Sequence, residues 1–540
     1  MDLPQEVANQ SPALEGYDAY GADPWLRAAV ARAGVDWVEA SAHALGTYVG
    51  SPEAQHHAML ANRYTPELKT HDRAGNRVDL VEYHPSYHVL MNRAFSAGVH
   101  SLAWKREPGG FSARAALFYL WNQLEQGVSC PVTMTFASIA VLDLAPQIAR
   151  DWRAKVLADA YDPNAAPVAR KAAATIGMAM TEKQGGSDLR AVQTVARRDG
   201  PLCRLNGHKW FCSAPMSDAF FTLAREAEGV SCFFVPRSLP NGARNSFHIQ
   251  RLKEKVGNRS NASSEIEYRE TIAWPVGEPG RGIATLIGMA HHTRFDIVVA
   301  VAAMMRSALN QALHHARHRT AFGKALVEHP LMANVLADLA LEAEAAQLLA
   351  FRLAHAFDRS ALDEGERELQ RVLTPIAKYW LSKRMTAVAV EAMECLGGNG
   401  YVEESPLARL FREAPLNGIW EGSANVICLD ALRAIGRSPN AFAALANEVA
   451  LAKDARLDRA MEQVKVSLGD GANAESQARR VLESIALCVQ GSLMTRYADP
   501  PAADAFIESR IGGAGGRAFG ALALETAALA RLVERAGIAA

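Results

Sequence analysis

The chain has 540 residues, too many for one ordinary hydrophobic core, and calls for three or four domains. Its charged fraction of 21 % and apolar fraction of 49 % are those of a soluble globular protein. A formal net charge of −1 advertises no polyanion partner through bulk charge and leaves only a local basic patch to be considered.

The opening "MDLPQEVANQ" is acidic and polar and lacks the basic start and apolar stretch of a signal peptide. No uncharged run reaches the roughly 18–20 residues that span a bilayer, so a cytoplasmic protein without a membrane partner is expected. The seven cysteines are odd in number, irregularly spaced and free of any CxxC, which reads as buried reduced thiols.

Residues 1–175 are mostly helical in pattern after an irregular opening arm. In "ARAALFYLWNQLEQG", Leu117, Leu120, Trp121 and Leu124 recur at helical spacing. From 176 to 285 the texture changes to short runs such as "DAFFTLARE", "VSCFFVPR", "FHIQRLK" and "SEIEYRETIAW", which read as strands. Asn206-Gly207 carries a turn signal. Long helices return over 286–440, where Leu336, Leu339, Ala343, Ala346, Ala350 and Leu353 form a bundle stripe. The break at 436–439 sets off a last helical segment, 441–540, interrupted by "GGAGGRAFG". The fold class expected is α+β, mostly α, in segregated layers.

Three stretches carry chemistry. In "MTEKQGGSD", Gly185 and Gly186 let backbone approach a ligand while Thr181 and Ser187 add hydroxyls, although a solvated turn is the plainer account of such a nonapeptide taken alone. "NGHKWFCS" puts large rings and Ser213 on one expected hairpin, where ordinary strand packing is the plainer account. In "IWEGSANV", Glu421 is either a carboxylate favoured near a helix start or a base kept dry by its neighbours. His314, His315 and His318 read as a solvated helix face, as do His84 and His88 on theirs, because no carboxylate–histidine motif accompanies them; no metal site is expected.

Together with "KVGNRSNASSEIEY", "TRFDIVVA", "HRTAFGKAL" and "CLGGNGY", these motifs stand in the order and near the spacing of the acyl-CoA dehydrogenase flavoproteins, which the chain resembles over residues 75–435. "YHPSYHVLM", "CPVTMTFA", "LKEKVGNRSNAS" and the added C-terminal segment resemble the AidB-like, alkylation-response branch. The resemblance implies a helical N-terminal domain (1–175), a β-barrel-like middle domain (176–285), a helical bundle that builds a homotetramer and helps hold FAD (286–440), and an extra C-terminal helical domain (441–540).

Carried over by motif, Met180 and Thr181 would meet the flavin's pyrimidine end, with Gly186 and Ser187 beside the pyrophosphate. Phe211 stands where the family stacks a Trp on the flavin, and Ser213 matches the hydroxyl residue near N5. Arg319 and Phe322 match residues that reach a neighbouring subunit's FAD. Gly397, Gly398 and Gly400 fit the adenosine-side loop, although Glu394 replaces the Gln usual before it. Ser423 and Asn425 fall at FAD-contacting positions, where a helix start suits phosphate. Arg294 matches a position near the CoA portion of the substrate; an ion-paired arginine at a helix start is the alternative.

Removing two hydrogens from an acyl thioester needs an α-proton base and a hydride acceptor. Flavin supplies the acceptor, and Glu421 matches the family's glutamate base. A carboxylate in water is weak at this task, and withdrawal from water beside an aromatic ring strengthens it. The reading is thus an FAD-dependent acyl-CoA dehydrogenase-type oxidoreductase of the response to DNA alkylation. Its alternative is a DNA-binding flavoprotein that protects DNA or detoxifies alkylating agents, with dehydrogenation weak or vestigial.

The branch's C-terminal domain is the expected contact for double-stranded DNA. Here residues 441–540 hold eleven Lys and Arg against twelve Asp and Glu, so any affinity must come from clustering. Arg433, Arg437, Arg510 and Arg517 are the candidates, with Arg479, Arg480 and Arg496 nearby in sequence.

Overall fold

The computed structural model describes residues 8–105 and 108–537. Its contacts gather the chain into two units, Glu53–Asp296 and a second that joins Met1–Pro52 to Ile297–Ala540.

In the first unit the 3–4 spacing of apolar residues yields the helices Gly110–Leu124 and Ser129–Leu142, each buried along almost its whole length. Within the stretch expected to be mostly helical lies an antiparallel hairpin, β1 (Glu67–His71) and β2 (Arg77–Glu82). Asp79 in β2 is fully buried and offsets the cost of that burial by accepting from Arg77, from Arg244 at 2.5 Å and from the Ile249 N–H at 3.1 Å.

Seven further strands follow: β3 (Ile176–Ala179), β4 (Val195–Asp199), β5 (Leu202–Ser213), β6 (Ala219–Glu226), β7 (Gly229–Pro236), β8 (Phe247–Leu252) and β9 (Ser263–Val276). They form one mixed sheet in the order β3-β6-β4-β5-β9-β7, with β8 branching from β9. The expected β-barrel-like domain is corrected here to a sheet that is not closed into a barrel. At the β4–β6 seam only Val195 and Arg225 pair, too few bonds to zip the edges together, whereas β6 and β7 pair along their whole length. Phe220, Phe233, Phe247, Ile249, Ile266 and Tyr268 fill its core.

Asn206-Gly207 does not turn the chain. β5 runs through it with a bulge, and the glycine is needed because a Cβ there would stand 2.4 Å from Thr194 Oγ1 and 2.6 Å from Thr194 Cα.

The second unit is helical. The stripe from Leu336 to Leu353 is buried along the helix Pro330–Arg359, and the helix Glu364–Cys395 packs beside it. Ion pairs bind the C-terminal segment to that layer: Arg510 to Asp338 and Glu342, Arg535 to Glu344, and Glu448 to Arg352. The N-terminal arm belongs to the same unit; Asp23 lies 3.3 Å from the buried Arg306, which stacks on Trp25. The helix Gly282–His318 is long and apolar enough to cross a membrane by composition, and 94 % of its most apolar window is buried within the protein, as in a core helix. All seven cysteines are buried and none forms a disulfide.

Candidate active site

In the first unit the two motifs expected to serve a cofactor meet. The Trp210 N–H donates to the Thr181 carbonyl at 2.8 Å, and the Lys183 N–H donates to His208 Nε2 at 2.8 Å, so the 180–188 loop is stitched to β5. The loop folds tightly on itself: a Cβ on Gly186 would lie 2.4 Å from Thr181 Oγ1. Met180, Thr181 and Gly186 are half-buried and Ser187 is exposed.

Phe211 leaves a large ring 49 % exposed on β5, where burial would be usual for a phenylalanine. Ser213, two residues on, shares a 3.2 Å hydrogen bond with Ser263. Arg294 is half-buried on the helix Gly282–His318. Two residues before it, His292 packs against Trp104, Phe111 and Phe136, and burial lowers its pKa to about 4. On the adjoining turn Asp296 is buried and bonded to Arg114 and to Thr133.

A buried pair that the motif reading passed over anchors the loop. Glu182 accepts from Lys209 Nζ at 2.8 Å and from Thr194 Oγ1 at 2.6 Å, and both charged side chains are fully buried. Burial opposes ionisation of Glu182, but the Lys209 ammonium and the bonds from Gln184 and Thr194 outweigh it and hold the carboxyl at about 2. Its signal in the sequence is the lysine of "GHKWFC", a charge at an inward position of a strand.

In the second unit Glu421 is half-buried, with a left-handed backbone at φ 55 between Trp420 and Gly422, immediately before the helix Ala424–Arg437. For a side chain bearing a Cβ this conformation costs about 1–2 kcal/mol and must be held by its surroundings. Lys378, which the sequence reading did not single out, donates to the carbonyls of Trp420 at 2.9 Å and Gly422 at 2.6 Å. The Trp420 indole N–H is buried without a hydrogen-bond partner among the described residues.

Ser423 precedes the helix without capping it by its side chain, and Asn425 accepts from Arg479 at 2.9 Å. Gly397 and Gly398 are exposed where the helix Glu364–Cys395 ends, Gly397 with φ 59, while Gly400 packs too closely on the Met393 carbonyl to admit a Cβ. Glu394 is exposed just before them. Arg319 donates to the Asn9 carbonyl, and Phe322 stands 97 % exposed at φ 50 on the turn that follows.

Two histidine expectations change. His88 is half-buried and shares a 3.0 Å bond with the Tyr161 hydroxyl, and His84 accepts from the Ser86 N–H at a helix start. His314 and His318 bond to backbone carbonyls. Among the described residues no group of three or more His, Cys, Asp or Glu side chains could hold a metal ion.

The arginines expected to meet DNA divide. Arg433, Arg437 and Arg517 are exposed, as are Arg479 and Arg480. Arg510 is corrected: its side chain is 12 % exposed and engaged with Asp338 and Glu342, so its charge is spent in the interior. Arg496 is likewise paired, with Glu448 at 2.6 Å.

Three domain models of known proteins match consecutive parts of the chain: the N-terminal domain of the adaptive response protein AidB over residues 9–163, the acyl-CoA dehydrogenase middle domain over 177–271 and the acyl-CoA dehydrogenase C-terminal domain over 280–436. The putative acyl-CoA dehydrogenase AidB of Escherichia coli is 43 % identical over 517 residues, which cover 94 % of this chain and 95 % of that protein. The structure is similar to that of ACDH-11 of Caenorhabditis elegans in complex with C11-CoA, with a TM-score of 0.84 at 25 % identity over 99 % of this chain and 93 % of the other. Butyryl-CoA dehydrogenase of Megasphaera elsdenii shares the fold, with a TM-score of 0.57 at 18 % identity over 76 % of this chain and 97 % of that one.

The chain belongs to the acyl-CoA dehydrogenase family, in its AidB-like branch. That places it in an oxidoreductase-type class whose middle and C-terminal domains bind FAD.

Proposed function

We propose that the protein is an FAD-dependent oxidoreductase of the acyl-CoA dehydrogenase type, acting in the response to DNA alkylation, with Glu421 as the base for the α-proton of an acyl thioester. The setting of Glu421 carries this reading: a half-buried carboxylate on a strained backbone, beside a buried indole and ahead of a 14-residue helix. Strain of this kind concentrates at working sites, because the surroundings must over-determine it.

The residues present fit FAD. The Thr181–Gly186 turn offers a close backbone approach, Phe211 offers an open ring, and the Trp420 N–H is a buried donor in need of an acceptor. When bound, FAD supplies the acceptor for the β-hydride at flavin N5. On the protein side, Met180 and Thr181 would hold the pyrimidine end, Phe211 would stack on the ring system, and Ser213 would bond near N5. Gly186 and Ser187 would serve the pyrophosphate, Gly397 and Gly398 the adenosine, and Ser423 with Asn425 the helix-start contact. Arg294 would meet the CoA portion, and the bound C11-CoA of the nematode relative supports that substrate class. A Phe322 that is 97 % exposed supports a homotetramer in which it and Arg319 reach a neighbour's FAD, and a cytoplasmic location is part of the same proposal.

Anaerobic bleaching of the flavin by a panel of acyl-CoAs tests the proposal. At least one thioester should bleach the wild type, and Glu421→Gln should slow bleaching by roughly 10²–10⁴-fold. Failure of every thioester on the wild type overturns it.

A second reading, a DNA-binding flavoprotein that shields DNA or detoxifies alkylating agents, has one observation in its favour. Arg433 and Arg437 are exposed and four apart on the helix Ala424–Arg437, so they share a face. Retention of double-stranded DNA should then fall steeply with salt, and Arg433→Ala with Arg437→Ala should flatten that slope by about two units. No retention at low salt removes this reading.

A further inference from the structure

Lys378 sits in an apolar run of the helix Glu364–Cys395, between Ala377 and Tyr379 and three residues after the intrahelical Pro375. Its side chain is buried, with the residue 1 % exposed. A lysine is placed so deep only when acceptors compensate the lost water.

Those acceptors are unusual in where they fall. The ammonium bonds the Trp420 carbonyl at 2.9 Å and the Gly422 carbonyl at 2.6 Å, those of the residues on either side of Glu421. Between them the backbone of Glu421 is left-handed at φ 55, followed by Gly422 at φ 105. One buried cation thus fastens both ends of the strained turn that carries the carboxylate.

We propose that Lys378 is the positioning residue of the proposed base: it holds the left-handed turn at 421, and so the direction of the Glu421 carboxylate, through the two flanking carbonyls. This rests on the reading of Glu421 as the base. Without the clamp, the turn can relax to the right-handed or extended backbone that a glutamate prefers. Lys378 acts on the substrate only through Glu421.

Two arms test it with Lys378→Met, which removes the charge and keeps the length, and Lys378→Arg, which restores a cation. In flavin-free protein, amide hydrogen exchange over residues 416–424 should quicken about 10- to 100-fold in Lys378→Met, the loss expected for charge-assisted bonds. Lys378→Arg should recover part of that protection, while exchange in the helix Pro330–Arg359 stays as in the wild type. Unchanged protection at 416–424, or equal loss in both regions, overturns the proposal.

In the flavin-loaded protein, Lys378→Met should slow thioester bleaching about 10- to 100-fold, with the KM little changed. Lys378→Arg should restore part of that rate. Faster exchange with an unaltered bleaching rate would make Lys378 a structural tie and overturn the proposal. If no thioester bleaches the wild type, the base reading itself fails, and the exchange arm alone decides whether Lys378 sets this turn.

Discussion

Two buried lysines do different work in this protein. Lys209 balances Glu182 and so pins the 180–188 loop to its sheet, whereas Lys378 bonds the carbonyls of Trp420 and Gly422. The Glu182 carboxyl lies at about 2 in the folded protein, below its ordinary 4.5. A depressed carboxyl stabilises the fold fully above its unfolded value and loses that contribution as pH falls towards its folded one. Ionised Glu182 should therefore help stability above about pH 4.5 and cease to help near pH 2, a swing of about 3 kcal/mol. Glu182→Gln leaves the Lys209 ammonium buried without its counter-charge and should cost about 3–5 kcal/mol in urea denaturation at pH 7. The tight loop at Thr181, Gly185, Gly186 and Ser187 was legible because small and hydroxyl residues advertise close backbone approach. Glu182 was not, since a glutamate in a polar loop ordinarily faces water.

At the scale of elements, strands and helices followed from local pattern, and the errors arose where a local signal was overruled. Asn206-Gly207 reads as a hairpin turn, yet the glycine is there because Thr194, just before the neighbouring strand, leaves no room for a Cβ. The C-terminal helices were legible as amphipathic, but not their direction of docking. The helix Pro500–Arg510 inserts Arg510 between Asp338 and Glu342 of the helix Pro330–Arg359. Replacing it by Arg510→Met should destabilise the protein by about 3 kcal/mol, since Asp338 loses its cation, and should leave DNA retention untouched. Denaturant melts read beside a salt titration of DNA retention check both halves of that expectation. A loss of retention with unchanged stability would return Arg510 to the surface set.

Across the whole molecule, the chain crosses between its two units twice, after Pro52 and inside the helix Gly282–His318. The N-terminal arm, read as an irregular opening to the first domain, instead shares a core with residues nearly 300 positions away, through Asp23, Trp25 and Arg306. Likewise the segment 441–540, set apart by its Gly-Arg-Ser-Pro break, belongs to one contact unit with the bundle. Composition shifts mark where local texture changes. Contact between distant segments leaves no such mark.

The family, the order of helical and strand regions, and the candidate base were determined by the sequence alone, because periodicity and motif spacing are properties of neighbouring residues. Tertiary structure alone decided that the middle sheet stays open, that Arg510 faces inward and that Lys378 bonds on both sides of Glu421. Each of these depends on which atoms meet across long stretches of chain, where burial gives a charge or a missing Cβ its energetic weight.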